Sequence, residues 1–121
     1  MSQKFPAAVR LHSRPEFDAV QDRGRRVSAR YLTMIARPNA LACDRLGIIA
    51  SRRVGGAVDR NRAKRRLREL FRRAGPLNAS SESRRTLDVV VVARPALVAA
   101  PFNAVAEDFR QALGKLREGR S

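Results

Sequence analysis

Apolar positions along the chain recur with two different periods, and the changes of period mark out its elements. Ser13-Arg14-Pro15-Glu16 has the spacing of a capping box, in which the serine hydroxyl and the glutamate carboxylate satisfy each other's backbone amides, so a helix is predicted to start there. Pro15 lies in the first turn, where its missing N–H costs nothing; Phe17 and Val20 mark the inward side and Gly24 offers a stop. Residues 1–10 carry no strong period and read as an irregular arm. Val27 to Arg37 is rich in β-formers and ends at the turn signal Pro38-Asn39, which predicts a strand or a bent pair of strands. Arg45 to Ser51, built around Leu46-Gly47-Ile48-Ile49-Ala50, predicts a further strand that delivers the chain to Gly55-Gly56.

A helical period then takes over. Ala63, Leu67, Leu70, Phe71 and Ala74 form one apolar stripe, with Asp59 placed as N-cap and Gly75-Pro76 as the stop. The opposite side belongs to Asn61, Arg65, Arg68 and Arg72, widened by Arg62, Lys64, Arg66 and Arg73, with Arg60 in the first turn nearer the stripe. Residues 77–86 are polar and serine-rich and read as a mobile loop. Leu87 to Ala93 is a near-continuous β-branched run, the pattern of a central strand covered on both faces. Phe102, Val105, Ala106, Phe109, Leu113 and Leu116 return to helical spacing. The order α-β-β-β-α-β-α in 121 residues predicts a single-domain α/β sandwich. Its strand-helix-strand unit should make a parallel pair, and the general rule for such crossovers is right-handed.

Charge turns this fold into a functional question. The chain carries 26 Lys+Arg against 11 Asp+Glu, a formal net charge of +15, which points to a polyanionic partner: nucleic acid first, an anionic membrane second. There is no signal-peptide pattern and no run long enough to span a bilayer, so a cytoplasmic protein is expected. Cys43 is the only cysteine and reads as a small apolar filler near a strand. His12, the only histidine, reads as an exposed imidazole beside the helix cap; Glu107 and Asp108 point to different faces, and no acids are spaced to share a metal. Such an inventory gives no catalytic residue and no metal ligand for a self-sufficient nuclease. Gly55-Gly56 matches no nucleotide-binding fingerprint and is explained by a tight strand-to-helix turn. The basic helix differs from a merely solvated charge run, because Arg60-Asn61-Arg62 adds a planar amide to the cations at a helix start, which suits an RNA backbone and its 2′-hydroxyls. On composition alone, a general RNA-binding or ribosome-associated protein fits as well.

The stretch Ala57-Val58-Asp59-Arg60-Asn61-Arg62-Ala63-Lys64-Arg65, led in by Ser51-Arg52-Arg53-Val54-Gly55 and followed by Arg68-Glu69, resembles the Arg-Asn-Arg signature of the bacterial ribonuclease P protein subunit. Glu16-Phe17-x-x-Val20, Gly24-x-Arg26, Leu46-Gly47 and Val92-Ala93-Arg94-Pro95 resemble that family in the same order, over residues 11 to 118. The resemblance implies a left-handed crossover, against the general rule. It also implies a protein that assists a catalytic RNA in removing the 5′ leader from precursor tRNA, with magnesium held mainly by that RNA and no protein partner required. By resemblance, Arg52, Arg53, Arg60, Asn61, Arg62, Lys64, Arg65 and Arg68 face RNA, and Phe17 offers a stacking surface for the single-stranded leader. The family usually has a second aromatic where Gln21 stands and another on the first strand where Ile35 stands, with Tyr31 nearby as a substitute. The expected leader set is therefore Phe17, Gln21, Tyr31 and Ile35.

Overall fold

The computed structural model describes residues 10–11, 13–39, 43–77 and 86–117. The expectations for the arm before Arg10, for His12 and for the loop 78–85 lie outside those residues. Helix α1, Arg14–Arg23, starts at the predicted cap: the Glu16 amide donates to Ser13 Oγ at 3.4 Å and the Ser13 amide to Glu16 Oε1 at 3.1 Å. The β-rich stretch after it is a bent pair, β1 Arg25–Ser28 and β2 Leu32–Pro38. Strand β3, Arg45–Ile49, leads to α2, Ala57–Leu77, and then to β4, Leu87–Ala93, a single 3₁₀ turn Pro95–Leu97 and α3, Phe102–Arg117.

The four strands form one sheet in the order β1-β2-β4-β3, antiparallel except for the parallel β3/β4 pair that α2 connects. Being flanked on both sides makes β4 central, and its alternation divides the core. Leu87, Val89, Val91 and Ala93 face α2 and α3 together with Leu32, Met34 and Ala36 of β2. Val90 turns to the other face, into a smaller core with Leu11, Val20 of α1 and Ile35. Both faces are apolar because both are covered, which is why β4 reads as an unbroken apolar run. Arg10 forms a parallel bridge with Leu46, and the Leu11 amide donates to the Leu46 carbonyl at 3.0 Å, so residues 10–11 extend the sheet beyond β3.

Two helix-end expectations are corrected. Asp59 is not the N-cap of α2: the helix begins at Ala57, and the Gly56 carbonyl accepts from the Arg60 amide at 2.9 Å. Asp59 lies in the first turn, with its carboxylate folded over Gly55, whose φ of 142° only glycine adopts without strain and where a Cβ would fall 2.4 Å from Asp59 Oδ2. Nor does Gly75-Pro76 stop the helix before it: α2 continues to Leu77, since one missing donor in a last turn removes a single backbone bond.

Candidate nucleic-acid interface

Burial of the apolar stripe fixes how α2 presents its charges. Ala63, Leu67, Leu70 and Phe71 are all buried in the larger core, so Asn61, Arg62 and Arg65 are held outward, exposed. Arg52 and Arg53 are exposed in the turn before Gly55, which the Val54 and Gly55 amides close by donating to the carbonyls of Ser51 and Arg52. Arg60, Lys64 and Arg68 are half-buried along one flank of the helix. Among the described residues none of Arg52, Arg53, Arg60, Arg62, Lys64, Arg65 and Arg68 forms an ion pair with an acid. Uncompensated cations along one rigid element make a surface that attracts phosphate. Val58, 72% exposed at the start of α2, adds an apolar side chain beside them.

Other arginines of α2 are spoken for by the protein. Arg66 donates through Nη1 to the Leu97 carbonyl at 3.1 Å and the Ala100 carbonyl at 2.7 Å, holding the connection between β4 and α3. Arg72 and Arg73 both bind Glu69, at 2.6 and 2.7 Å, and Arg73 also lies over the Phe102 ring, 5.4 Å from its centroid. Hydrogen bonds from Arg72 first, then Arg73, hold the Glu69 carboxyl below its ordinary value, so it stays ionised and moderates the charge of this end.

On the α1 side a polar strut sets the geometry. Arg45 grips Asp88 with a bidentate fork, Nε to Oδ1 at 2.9 Å and Nη2 to Oδ2 at 2.7 Å, and Nη1 reaches Glu16 Oε2 at 3.1 Å. Asn39 adds a bond to Asp88 Oδ1 at 2.8 Å. The hydrogen bond to Asp88, above all, pushes the Arg45 pKa up, so the guanidinium keeps its charge in a site that is only one-fifth exposed. Glu16 therefore caps α1 and ties its first turn to β3 and β4. The next residue, Phe17, packs its ring against the bare backbone of Gly47, where a Cβ would come within 2.6 Å of Cε2 and Cζ.

The expected leader set does not form one surface. Phe17 and Gln21, one helical turn apart, share the half-buried flank of α1. Ile35 lies beneath them, 1% exposed, and offers a ligand nothing but support. Tyr31 belongs to the opposite layer: its ring packs on the larger core under the Arg30 guanidinium, and its amide donates to Asp108 Oδ2 at 2.8 Å. Strand parity would have placed Tyr31 on the face of Ile35, but it sits in the turn before β2, where the alternation of sides is not yet established. The structure does join the two sets of residues elsewhere. At the outer edge of β3 a pocket of about 200 Å³ opens with Phe17 and Gly47 on one wall and Lys64 and Arg68 on the other.

Among the described residues no three His, Cys, Asp or Glu side chains converge as metal ligands, and no helix is long and apolar enough to cross a membrane.

Comparison with known proteins shows which family the chain belongs to. A family profile described as Ribonuclease P matches residues 5–117. The ribonuclease P protein component of Citrifermentans bemidjiense is 33% identical, over 97% of this chain and 96% of its own length, and that of Methylococcus capsulatus is 47% identical over 74% and 66%. Among solved structures, the RNase P protein of Thermotoga maritima superposes with a TM-score of 0.72 at 29% identity, covering 93% of this chain and 98% of that one. A Staphylococcus aureus RNase P protein mutant described as defective in mRNA degradation gives a TM-score of 0.75 at 27% identity, covering 88% and 86%.

Proposed function

Because the chain belongs to the ribonuclease P protein family, we propose that it works as the RNA-binding subunit of that ribonucleoprotein, at the step that removes the 5′ leader from precursor tRNA. It is the protein component of a ribonuclease, and its partner is the ribonuclease P RNA. The cytoplasm, where precursor tRNA is processed, is its place of work.

The observation that carries the reading is the orientation of α2. An apolar stripe buried on one side leaves Asn61, Arg62 and Arg65 exposed on α2, with Arg52 and Arg53 exposed in the turn that precedes it, and none of these arginines forms an ion pair among the described residues. These residues, with Arg60, Lys64 and Arg68, bind the catalytic RNA, while Phe17 and Gln21 on α1 receive the single-stranded leader. Hydrolysis is assigned to the RNA. Magnesium is assigned to the RNA as well. The protein supplies positive charge where two polyanions must approach each other, and that contribution grows as magnesium is withdrawn.

Reconstitution with the cognate RNA tests this. At low magnesium the protein should raise cleavage of 5′-extended tRNA and tighten its binding relative to mature tRNA. No gain in cleavage, or equal affinity for the two tRNAs, would instead favour a general RNA-binding role.

A further inference from the structure

We propose that Glu69 is a specificity-determining residue: by holding Arg72 it ends the RNA footprint on α2 at Arg68, so that RNA other than the cognate partner gains no phosphate contact beyond that point. This assignment rests on the RNA-binding reading of α2 and adds to it a residue that acts by withholding charge.

The cations of α2 divide along its length. Arg62, Arg65 and Arg68 form no ion pair among the described residues. Beyond them, Arg72 and Arg73 share one carboxylate. Arg72 grips Glu69 with a bidentate fork, Nε to Oε1 at 3.2 Å and Nη2 to Oε2 at 2.6 Å, and Arg73 Nε reaches Oε2 at 2.7 Å. The two arginines are not equivalent. Arg72 follows Arg65 by about two helical turns on the same exposed side, so without Glu69 it would extend the row of free cations. Arg73 leans over the Phe102 ring of α3 instead.

The direction in which Glu69 pairs is informative. On a helix it can meet Arg65 and Arg66 before it or Arg72 and Arg73 after it. Arg66 is taken by the Leu97 and Ala100 carbonyls. Glu69 takes the two arginines that follow, the favoured polarity for an acid and a base on one helix face, and Arg65 stays open to solvent. Glu69 is the only acid of α2 after Asp59. Exposed ion pairs add little to stability, so folding alone gives little reason for an acid at this place. Its effect on binding is larger. A carboxylate forked to Arg72 occupies the donors that a phosphate would take, and it repels the phosphate itself. Specificity is a difference of affinities, and a free arginine at the end of a basic surface serves any RNA alike.

The test measures binding of the full chain to the catalytic RNA and to an unrelated RNA duplex across a salt series. Glu69→Gln should steepen the slope of log affinity against log salt by about 0.9 for the unrelated duplex, the value for one more phosphate. Carried from about 1 M to about 0.15 M salt, that slope raises affinity roughly fivefold. The catalytic RNA, whose contacts end at Arg68, should show no such gain, so its lead over the duplex shrinks by the same factor. Adding Arg72→Gln to Glu69→Gln should restore the duplex slope, and adding Arg73→Gln should not. Glu107→Gln is the control, since it adds the same net charge and frees Arg110 on α3 instead. An unchanged duplex slope in Glu69→Gln overturns the proposal. So does an equal gain for both RNAs, which puts Arg72 inside the footprint, or an equal steepening by Glu107→Gln, which reduces the effect to net charge. Should Glu69→Gln fail to fold, Arg72→Gln alone decides: unchanged slopes are expected, and a loss of about 0.9 for either RNA overturns the assignment. The underlying reading fails separately, if Arg65→Ala leaves the slope for the catalytic RNA unchanged.

Discussion

Replacing Gly47 with alanine adds one methyl group where Phe17 and the sheet are in direct contact, and the structure sets the size of the effect. The new Cβ would lie 2.6 Å from two ring carbons of Phe17 and 3.1 Å from Leu11 Cδ1, closer than van der Waals contact permits. The helix cannot simply back away, because α1 is tethered through Glu16 to Arg45, the residue two before Gly47 on β3. Overpacking of this kind costs about 1–3 kcal/mol. Since φ at Gly47 is not in the left-handed region, alanine also removes unfolded-chain entropy and recovers about 0.4–1 kcal/mol. The net expectation is a loss of up to about 2.6 kcal/mol, centred near about 1.3, visible as a lower urea midpoint with an unchanged m-value. Function should suffer more than stability: if Phe17 stacks on a leader base, its displacement forfeits up to about 1–3 kcal/mol, a weakening of about 5- to 150-fold. This should appear for precursor tRNA with a long leader and vanish for mature tRNA. Gly114→Ala is the control, in the last turn of α3 with nothing within 4 Å of the new atom. It should stabilise by about 0.5–1 kcal/mol. A Gly47→Ala protein with the wild-type urea midpoint and intact leader dependence would refute the reasoning about both packing and site.

Three further outcomes are expected. Arg66→Ala should cost about 1–3 kcal/mol in urea unfolding by orphaning the Leu97 and Ala100 carbonyls, with no change in the salt slope of RNA binding. Arg65→Ala, on the exposed side, should do the reverse, leaving the melting temperature alone and lowering the salt slope by about 0.9 for a duplex phosphate. Glu69 is held below its ordinary value near 4.5 by Arg72 and Arg73, so its contribution to stability is present above that pH and is lost as pH falls through the lower, native value. Glu69→Gln should therefore flatten part of the acid-side decline in urea midpoint, leaving the share from Glu107, which Arg110 depresses in the same way.

What the sequence made legible is what is local. The capping box of α1, the apolar stripe of α2 and the β-branched run of β4 are encoded within a few residues of where they act, and all three stand where the pattern places them. The basic surface follows from the stripe, since burying Leu67 and Phe71 leaves Arg65 no direction but outward. The division of labour among the arginines was not legible. Arg66 looks like its neighbours until the chain returns 31 and 34 residues later with two carbonyls for it. Tyr31 and Ile35 lie four residues apart, yet the turn before β2 sends Tyr31 to the larger core and Ile35 to the smaller. Arg10 sits in a stretch without period, and only its pairing with Leu46 gives it a place.

That pairing also bears on how the protein avoids itself. An open four-stranded sheet has two edges with unpaired backbone groups, each a template for another copy's strand. Here one edge is β1, only four residues long and beginning with Arg25 and Arg26, and the other, β3, is partly sealed by residues 10–11. A second copy meeting either edge would have to match strands against arginine, so the charge that recruits RNA also discourages edge-to-edge assembly. By pairing with Leu46, residues 10–11 cover part of the β3 edge, and losing that pairing should open β3 to strand exchange between copies.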